Sequence, residues 1–287
     1  MKSEETQYLD QLKNILDNGF VTNDRTGVGT KSLFGCQMRF RLDSHFPLLT
    51  TKKMFTKGII EELLWFLRGE TDSKILEEKK VNIWKGNTSQ ELVDKLGLNY
   101  IEGDCGPTYG FNFRHYGAEY INCKTKYTTG IDQINEVLRM LKDEPDSRRI
   151  IINLWNPTII NKVVLPPCHV LYQFRVYGNK LSCSLYQRSG DMGLGIPFNI
   201  ASASLLTCIL AKLSNLEPYE LIHTIGDAHI YLNHEEALKE QICREPYDFP
   251  VLKIINCNQE KVEDFKLEDF IFENYKSHSK IIMDMAI

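Results

Sequence analysis

The chain has 287 residues, 43% of them hydrophobic and 25% charged, with a formal net charge of −4. That is enough for a large hydrophobic core without disulfide or metal staples, and the mild acidity excludes a general nucleic-acid binder, so any anion site must be built from local arginine clusters. No apolar run approaches the ~18 residues of a membrane span, and the polar residues 1–10 fit neither a secretory nor a mitochondrial leader.

In chain order, residues 5–18 read as a helix closed by Gly19, and residues 33–42 alternate as a strand. Residues 59–68, IIEELLWFLR, form a strongly apolar helix ending at Gly69. Its adjacent acids, Glu61 and Glu62, project about 100° apart, so only one need face inward. Residues 85–102 read as a short helix and loop. Ile131, Ile134, Leu138 and Leu141 have helical spacing, closed by Pro145, and residues 149–155 read as a strand. Residues 170–177 and 181–187 flank Gly178-Asn179 as a hairpin. A buried helix (200–213), a short strand (221–225), an amphipathic helix (234–244) and a late strand (251–255) complete the series. No repeat, low-complexity tract or linker interrupts it. The pattern predicts one domain over residues 1–287, of α+β class, with a large mixed sheet and packed helices rather than a doubly wound parallel sheet.

Eight cysteines, Cys36, Cys105, Cys123, Cys168, Cys183, Cys208, Cys243 and Cys257, form no Cys-x-x-Cys pair. Most sit in apolar runs, which predicts reduced thiols and a cytoplasmic or nuclear location. Cys168 stands out. Pro166-Pro167 fix the chain ahead of it, and His169 and a strand follow. Alone, the segment fits a buried strand-end cysteine as well as a nucleophile at a sheet rim. The Cys-His neighbours do not by themselves make a dyad, since adjacent strand residues face opposite ways. Arginines favour the nucleophile: Arg25 in a Gly-rich loop, the tandem Arg148-Arg149, and Arg188-Ser189 at the end of the hairpin strand. Guanidinium and hydroxyl together suit a phosphate dianion, and the cluster predicts a Cys168 thiolate. The loop Asp24-Arg25-Thr26-Gly27-Val28-Gly29-Thr30 lacks the Gly-Lys-Ser/Thr ending of a Walker motif and reads as a mobile loop delivering Arg25. Asn199, after the Gly- and Pro-shaped turn from Asp191, fits either a helix N-cap or a reader of a base edge. His229 and His234 lack the acidic or thiolate partners of a metal site, so hydrogen bonding to a sugar hydroxyl is the better reading of His229.

Taken together, Arg25-Thr26-Gly27-Val28-Gly29-Thr30, Phe46-Pro47-Leu48-Leu49-Thr50-Thr51-Lys52, Glu62-Leu63-Leu64-Trp65-Phe66-Leu67, and residues 165–169, 186–201 and 226–234 resemble, in this order, the folate-dependent, cysteine-nucleophile thymidylate synthase family. The resemblance runs from about residue 9 to 287 and is similar to the animal branch and its viral relatives. It implies reductive methylation of dUMP to dTMP, with 5,10-methylenetetrahydrofolate as co-substrate and neither metal nor nicotinamide. Catalytic roles then fall on Cys168, Glu62, Tyr109, His169, Asp191 and Asn199. Arg25, Gln187, Arg188, Ser189, Gly190, Asp191, Asn199, His229 and Tyr231 would hold dUMP. Lys52, Ile83, Trp84, Asp191, Leu194, Gly195, Phe198 and Ala286 would hold the folate. Core packing is the alternative for Trp84, Leu194 and Phe198, and an exposed helical acid for Glu62. The implied assembly is a homodimer packed through a sheet face, with Arg148 and Arg149 reaching the partner's site, and no membrane or obligatory nucleic-acid partner. Cys105 and Thr108 stand where the family has aliphatic residues, Asn112-Phe113 where Gln-Trp is common, and Lys276-Ser277-His278-Ser279 where a Pro-His-Pro segment is typical. A deoxycytidylate hydroxymethylase and a non-catalytic nucleotide- or RNA-binding protein are the competing readings; Asn199 weighs against the first, the full catalytic set against the second.

Overall fold

The computed structural model of the chain describes residues 3–24, 26–256 and 258–285. Helix α1 (Thr6–Asn18) buries Tyr8, Leu12, Ile15 and Leu16 as one stripe, and Gly19 closes it with its N–H on the Ile15 carbonyl. A short strand β1 (Phe20–Thr22) pairs with β2 (Thr30–Arg41), whose Cys36, Met38 and Phe40 enter the core. Helix α2 (Thr56–Leu67) is buried on nearly every side, and Gly69 beyond it takes the left-handed φ of +75° that lets the chain turn away. Inward placement is not confined to one of its two acids. Glu61 is buried against Lys79 at 2.5 Å, and Glu62 lines the central cavity.

Three short helices follow: α3 (Lys74–Glu78), α4 (Gln90–Lys95) and α5 (Tyr109–Arg114). Only α4 lies in the stretch where the sequence predicts a short helix, because pieces of five or six residues display no periodic face. Helix α6 (Gln133–Asp143) starts where the Asp132 carboxylate accepts from Asn135 N–H. Strand β3 (Ile151–Asn153) is shorter than the predicted 149–155. Strands β4 (His169–Tyr177) and β5 (Lys180–Asp191) make the hairpin across Gly178. Helix α7 (Gly195–Leu213), strand β6 (Glu217–Tyr231), helix α8 (Glu235–Ile242) and the paired strands β7 (Val251–Ile254) and β8 (Phe270–Glu273) complete the chain.

The main sheet is six-stranded, in the order β1-β2-β6-β5-β4-β3. Among the described strands of this sheet only β5 and β6 run parallel, joined through α7, so the sheet is mixed as the sequence predicts. One face carries the core. Leu181, Cys183 and Leu185 of β5, Leu221 and Ile225 of β6, and Tyr172, Phe174 and Val176 of β4 are all buried, with α1 and α7 packed over this layer. The opposite face presents Gln37, Arg39, Gln173, Tyr177 and Tyr186 to solvent.

Two elements are longer than expected. Helix α7 begins at Gly195, not residue 200, because Pro197 falls in the first turn, where its missing N–H would have had no helical partner. Its 19 residues are long and apolar enough to cross a membrane by length and composition, contrary to the run-length reading, yet 83% of the apolar window is buried inside the fold. Strand β6 runs through Gly226 instead of stopping near residue 225. Gly226 is a point of close approach, not a terminator: a Cβ there would lie 2.7 Å from the Arg188 carbonyl oxygen. Burial, not side-chain direction, changes at this glycine: the register with β2 and β5 runs on unbroken, so Asp227, His229 and Tyr231 share the face of Leu221, His223 and Ile225, which passes from the core into the cavity wall.

The segment that departs from the Pro-His-Pro pattern docks by other means. The His278 ring stacks on Tyr247 at 4.8 Å, and the Lys276 ammonium lies 4.2 Å from the same ring. His278 N–H donates to the Thr50 carbonyl at 2.7 Å and Arg244 to the Ser279 carbonyl at 2.8 Å.

Candidate active site

A cavity of about 540 Å³ opens where β5, β6, α2, α5 and the start of α7 converge. Cys168 sits on its wall, one residue ahead of β4. Its backbone is held at both ends: its N–H donates to the Tyr109 hydroxyl at 2.7 Å, and its carbonyl accepts from Arg188 N–H at 2.9 Å. The two prolines do more than stiffen the approach. Their carbonyls accept from the Arg188 guanidinium at 2.8 and 2.9 Å, which aims a terminal nitrogen of Arg188 at Cys168 Sγ, 3.7 Å away. The predicted thiolate needs correction. Burial pushes the Cys168 thiol above its ordinary range, and Arg188 and Tyr109 pull it down only in part.

Glu62 faces the same space from α2. Burial raises its carboxyl to about 7, against the opposing hydrogen bond from Trp84 Nε1 at 2.7 Å. Tyr109, first residue of α5, is raised well above the phenol range by burial and is a neutral hydroxyl. His169 is buried, with Nδ1 2.8 Å from the Tyr172 hydroxyl, and burial lowers it to about 4 despite an interaction with Asn199. It is a neutral imidazole and not a reservoir of charge. Asn199 lies inside α7, so it is not an N-cap. Its Oδ1 accepts from Gln187 Nε2 at 2.9 Å, its side chain also interacts with His169, and the residue lines the cavity.

At the opposite end Ser189, Gly190, His229 and Tyr231 line the wall with Arg188. His229 Nδ1 lies 2.8 Å from an Asp227 carboxylate oxygen and 3.4 Å from Ser189 Oγ. The loop read as mobile is tied by Asp24, whose carboxylate accepts from the Thr26 N–H and hydroxyl and from Gly29 N–H at 2.6 to 2.9 Å. Arg25 lies outside the described residues, as does Ala286. One cavity therefore joins a thiol beside a guanidinium, a carboxyl raised to about 7, an amide, and the Ser189 and Tyr231 hydroxyls.

Residues 6–287 match the family model described as Thymidylate synthase. The chain belongs to the thymidylate synthase family. It is 53% identical over 285 residues to the human thymidylate synthase, covering 99% of this chain and 91% of that protein. The thymidylate synthase of equine herpesvirus 2 is 52% identical, with 99% of this chain and 98% of the viral protein covered. A bifunctional dihydrofolate reductase-thymidylate synthase of Paramecium tetraurelia is 54% identical over 99% of this chain, which spans only 62% of that protein's length.

Against this family frame, the remaining predicted residues divide clearly. Trp84, Asp191 and Gly195 line the cavity; Lys52, Ile83, Leu194, Phe198, Arg148 and Arg149 do not. Lys52 is buried and donates to the Gly193 carbonyl, with burial lowering its ammonium to about 8. It is held there by the Glu5 carboxylate, which accepts from the N–H and hydroxyl of both Thr50 and Thr51 at 2.6 to 2.9 Å. Asp191 accepts from Gly193 and Leu194 N–H at 2.8 and 3.2 Å, so it fixes the turn into α7 while facing the cavity. Phe198 packs toward Gly58 of α2, Ile83 packs against the core, and Arg148 and Arg149 are exposed ahead of β3. Sequence reasoning missed Phe66, Asn87, Leu165, Asp227 and Met285 on the wall. Asp227 was within reach, since it alternates with His229 and Tyr231; Asn87 sits in a polar stretch with no local signal.

Proposed function

We propose that the chain converts dUMP to dTMP through a covalent bond between Cys168 Sγ and C6 of the uracil ring. One observation carries the reading: a thiol 3.7 Å from a locked guanidinium, on the wall of a cavity shared with Glu62, Tyr109 and Asn199. Arg188 and Ser189 hold the 5′-phosphate, and His229 and Tyr231 lie where a 3′-hydroxyl would reach. Sulfur passes its proton to solvent water as it bonds to C6, with the Arg188 guanidinium 3.7 Å away stabilising the charge that develops on it. The ring's displaced electron pair moves toward O4, where the Asn199 amide donates and the neutral Glu62 carboxyl supplies a proton through water, leaving C5 nucleophilic. Tyr109, a neutral hydroxyl bonded to Cys168 N–H, orients the region from which the C5 proton leaves.

The residues present fit methylenetetrahydrofolate: Trp84 and Phe66 offer flat apolar walls, and Asp191 a carboxylate for the paired N–H donors of a pterin edge. When bound, the folate supplies the one-carbon unit and the hydride. The assembly in this proposal is a symmetric dimer joined through the open sheet face, with Arg148 and Arg149 of each chain serving its partner's phosphate site, in the cytoplasm.

Incubation with 5-fluoro-dUMP and methylenetetrahydrofolate tests the chemistry, because fluorine at C5 cannot leave as a proton. Intact mass is expected to rise by both ligands, on Cys168, and Cys168→Ser to bind dUMP without the adduct. A wild-type chain with no mass shift overturns the proposal.

A further inference from the structure

A second histidine, far from any solvent, bears on the base-reading amide. His223 on β6 is fully buried, and its Nε2 lies 2.9 Å from Gln187 Oε1. Gln187, also buried, spends its own amide hydrogens on the Ser189 carbonyl and on Asn199 Oδ1, both at 2.9 Å. With both hydrogens committed to acceptors, Gln187 Oε1 must accept, so His223 carries its proton on Nε2. Burial, with neighbouring His169 adding to it, lowers His223 to about 3, so a neutral imidazole faces Gln187. Among the described residues its Nδ1 has no hydrogen-bond partner that would hold the other tautomer. The order of donation is therefore His223 to Gln187 to Asn199. It ends with Asn199 Oδ1 engaged on the protein side, where His169 also interacts with this side chain, and the amide N–H₂ left for the ring.

We infer that His223 is a positioning residue that, by fixing the Gln187 amide, holds Asn199 in the orientation that accepts a 4-oxo pyrimidine and opposes a 4-amino one. A uracil O4 accepts from the Asn199 N–H₂, whereas a cytosine amino group meets it donor to donor. Without the His223 N–H, Gln187 Oε1 is buried and unsatisfied, and the amide is free to turn; Asn199 then loses its fixed sense. The inference rests on the proposed use of dUMP but concerns binding, so the two can fail separately.

The experiment measures dissociation constants for dUMP and dCMP with wild type, His223→Phe and His223→Gln, alongside dTMP formation by the wild type. The expected result for His223→Phe is about tenfold weaker dUMP binding, about one lost hydrogen bond to a fixed partner, with dCMP unchanged, so the preference narrows. His223→Gln keeps a donor and is expected to restore most of the preference. Equal weakening of both nucleotides, an unchanged ratio, or no rescue by glutamine overturns the inference and leaves His223 a packing residue. If His223→Phe does not fold, Gln187→Met breaks the same relay and is read by the same ratio. A wild type that binds both nucleotides but forms no dTMP overturns the proposed reaction while the ratio still tests His223.

Discussion

Glu62 keeps its proton up to about neutral pH because α2 carries it into the cavity wall, away from bulk water. Burial lifts its carboxyl to about 7, from a usual value of roughly 4.3, and the Trp84 bond offsets this only in part. The neutral acid is the form that donates toward O4. The contribution of Glu62 to kcat/KM is therefore present below about pH 7 and fades as pH rises through it. Glu62→Gln keeps an acceptor for Trp84 but releases no proton; kcat is expected to fall roughly 10²- to 10⁴-fold and the limb near neutrality to vanish from the kcat/KM profile. A profile whose limb persists in the variant assigns that titration elsewhere. The protonation states of Glu62, Cys168 and His169 are not legible in sequence, because each follows from how much water the packed neighbours exclude.

The row through Gly226 shapes the site at the level of elements. Strands β5 and β6 run side by side, and the glycine lets the Arg188 carbonyl approach where a Cβ would sit at 2.7 Å. Beyond it, the face of β6 that carries His223 and Ile225 into the core presents Asp227 and His229 to the cavity. Gly226→Ala is expected to destabilise the chain by about 1–3 kcal/mol, read as a lower urea midpoint, and to weaken dUMP binding because the Arg188 row shifts. Unchanged midpoint and affinity would mean that the sheet absorbs a methyl there without cost. This row also explains the uneven legibility of the elements. Periodic helices such as α1 and α6 and the β4–β5 hairpin are written in local spacing. The second half of β6 and the start of α7 are not, since glycine and proline are punctuation in isolation and become strand or helix only when neighbours hold them.

For the whole molecule, the sheet has one face buried under helices and the other open, with Tyr177 61% and Tyr186 41% exposed. In the proposed dimer a second copy covers that face, and the exposed Arg148 and Arg149 of each chain serve the other's cavity. Sedimentation is expected to give twice the 33.2 kDa chain mass, and Tyr186→Lys to shift it to the monomer with loss of dTMP formation. A fully active monomer would rule out shared sites. By itself the sequence determined the α+β class, the family likeness and most of the residues gathered around Cys168, because motif spacing and residue chemistry are properties of the chain. Tertiary structure alone decided that Lys52 turns to Gly193 and not to the cavity, that the Cys168 thiol is raised, and that His223 stands behind Asn199. Those depend on which groups packing brings within 3 to 4 Å and how far it shuts out water, and neither distance nor dielectric is encoded in local sequence.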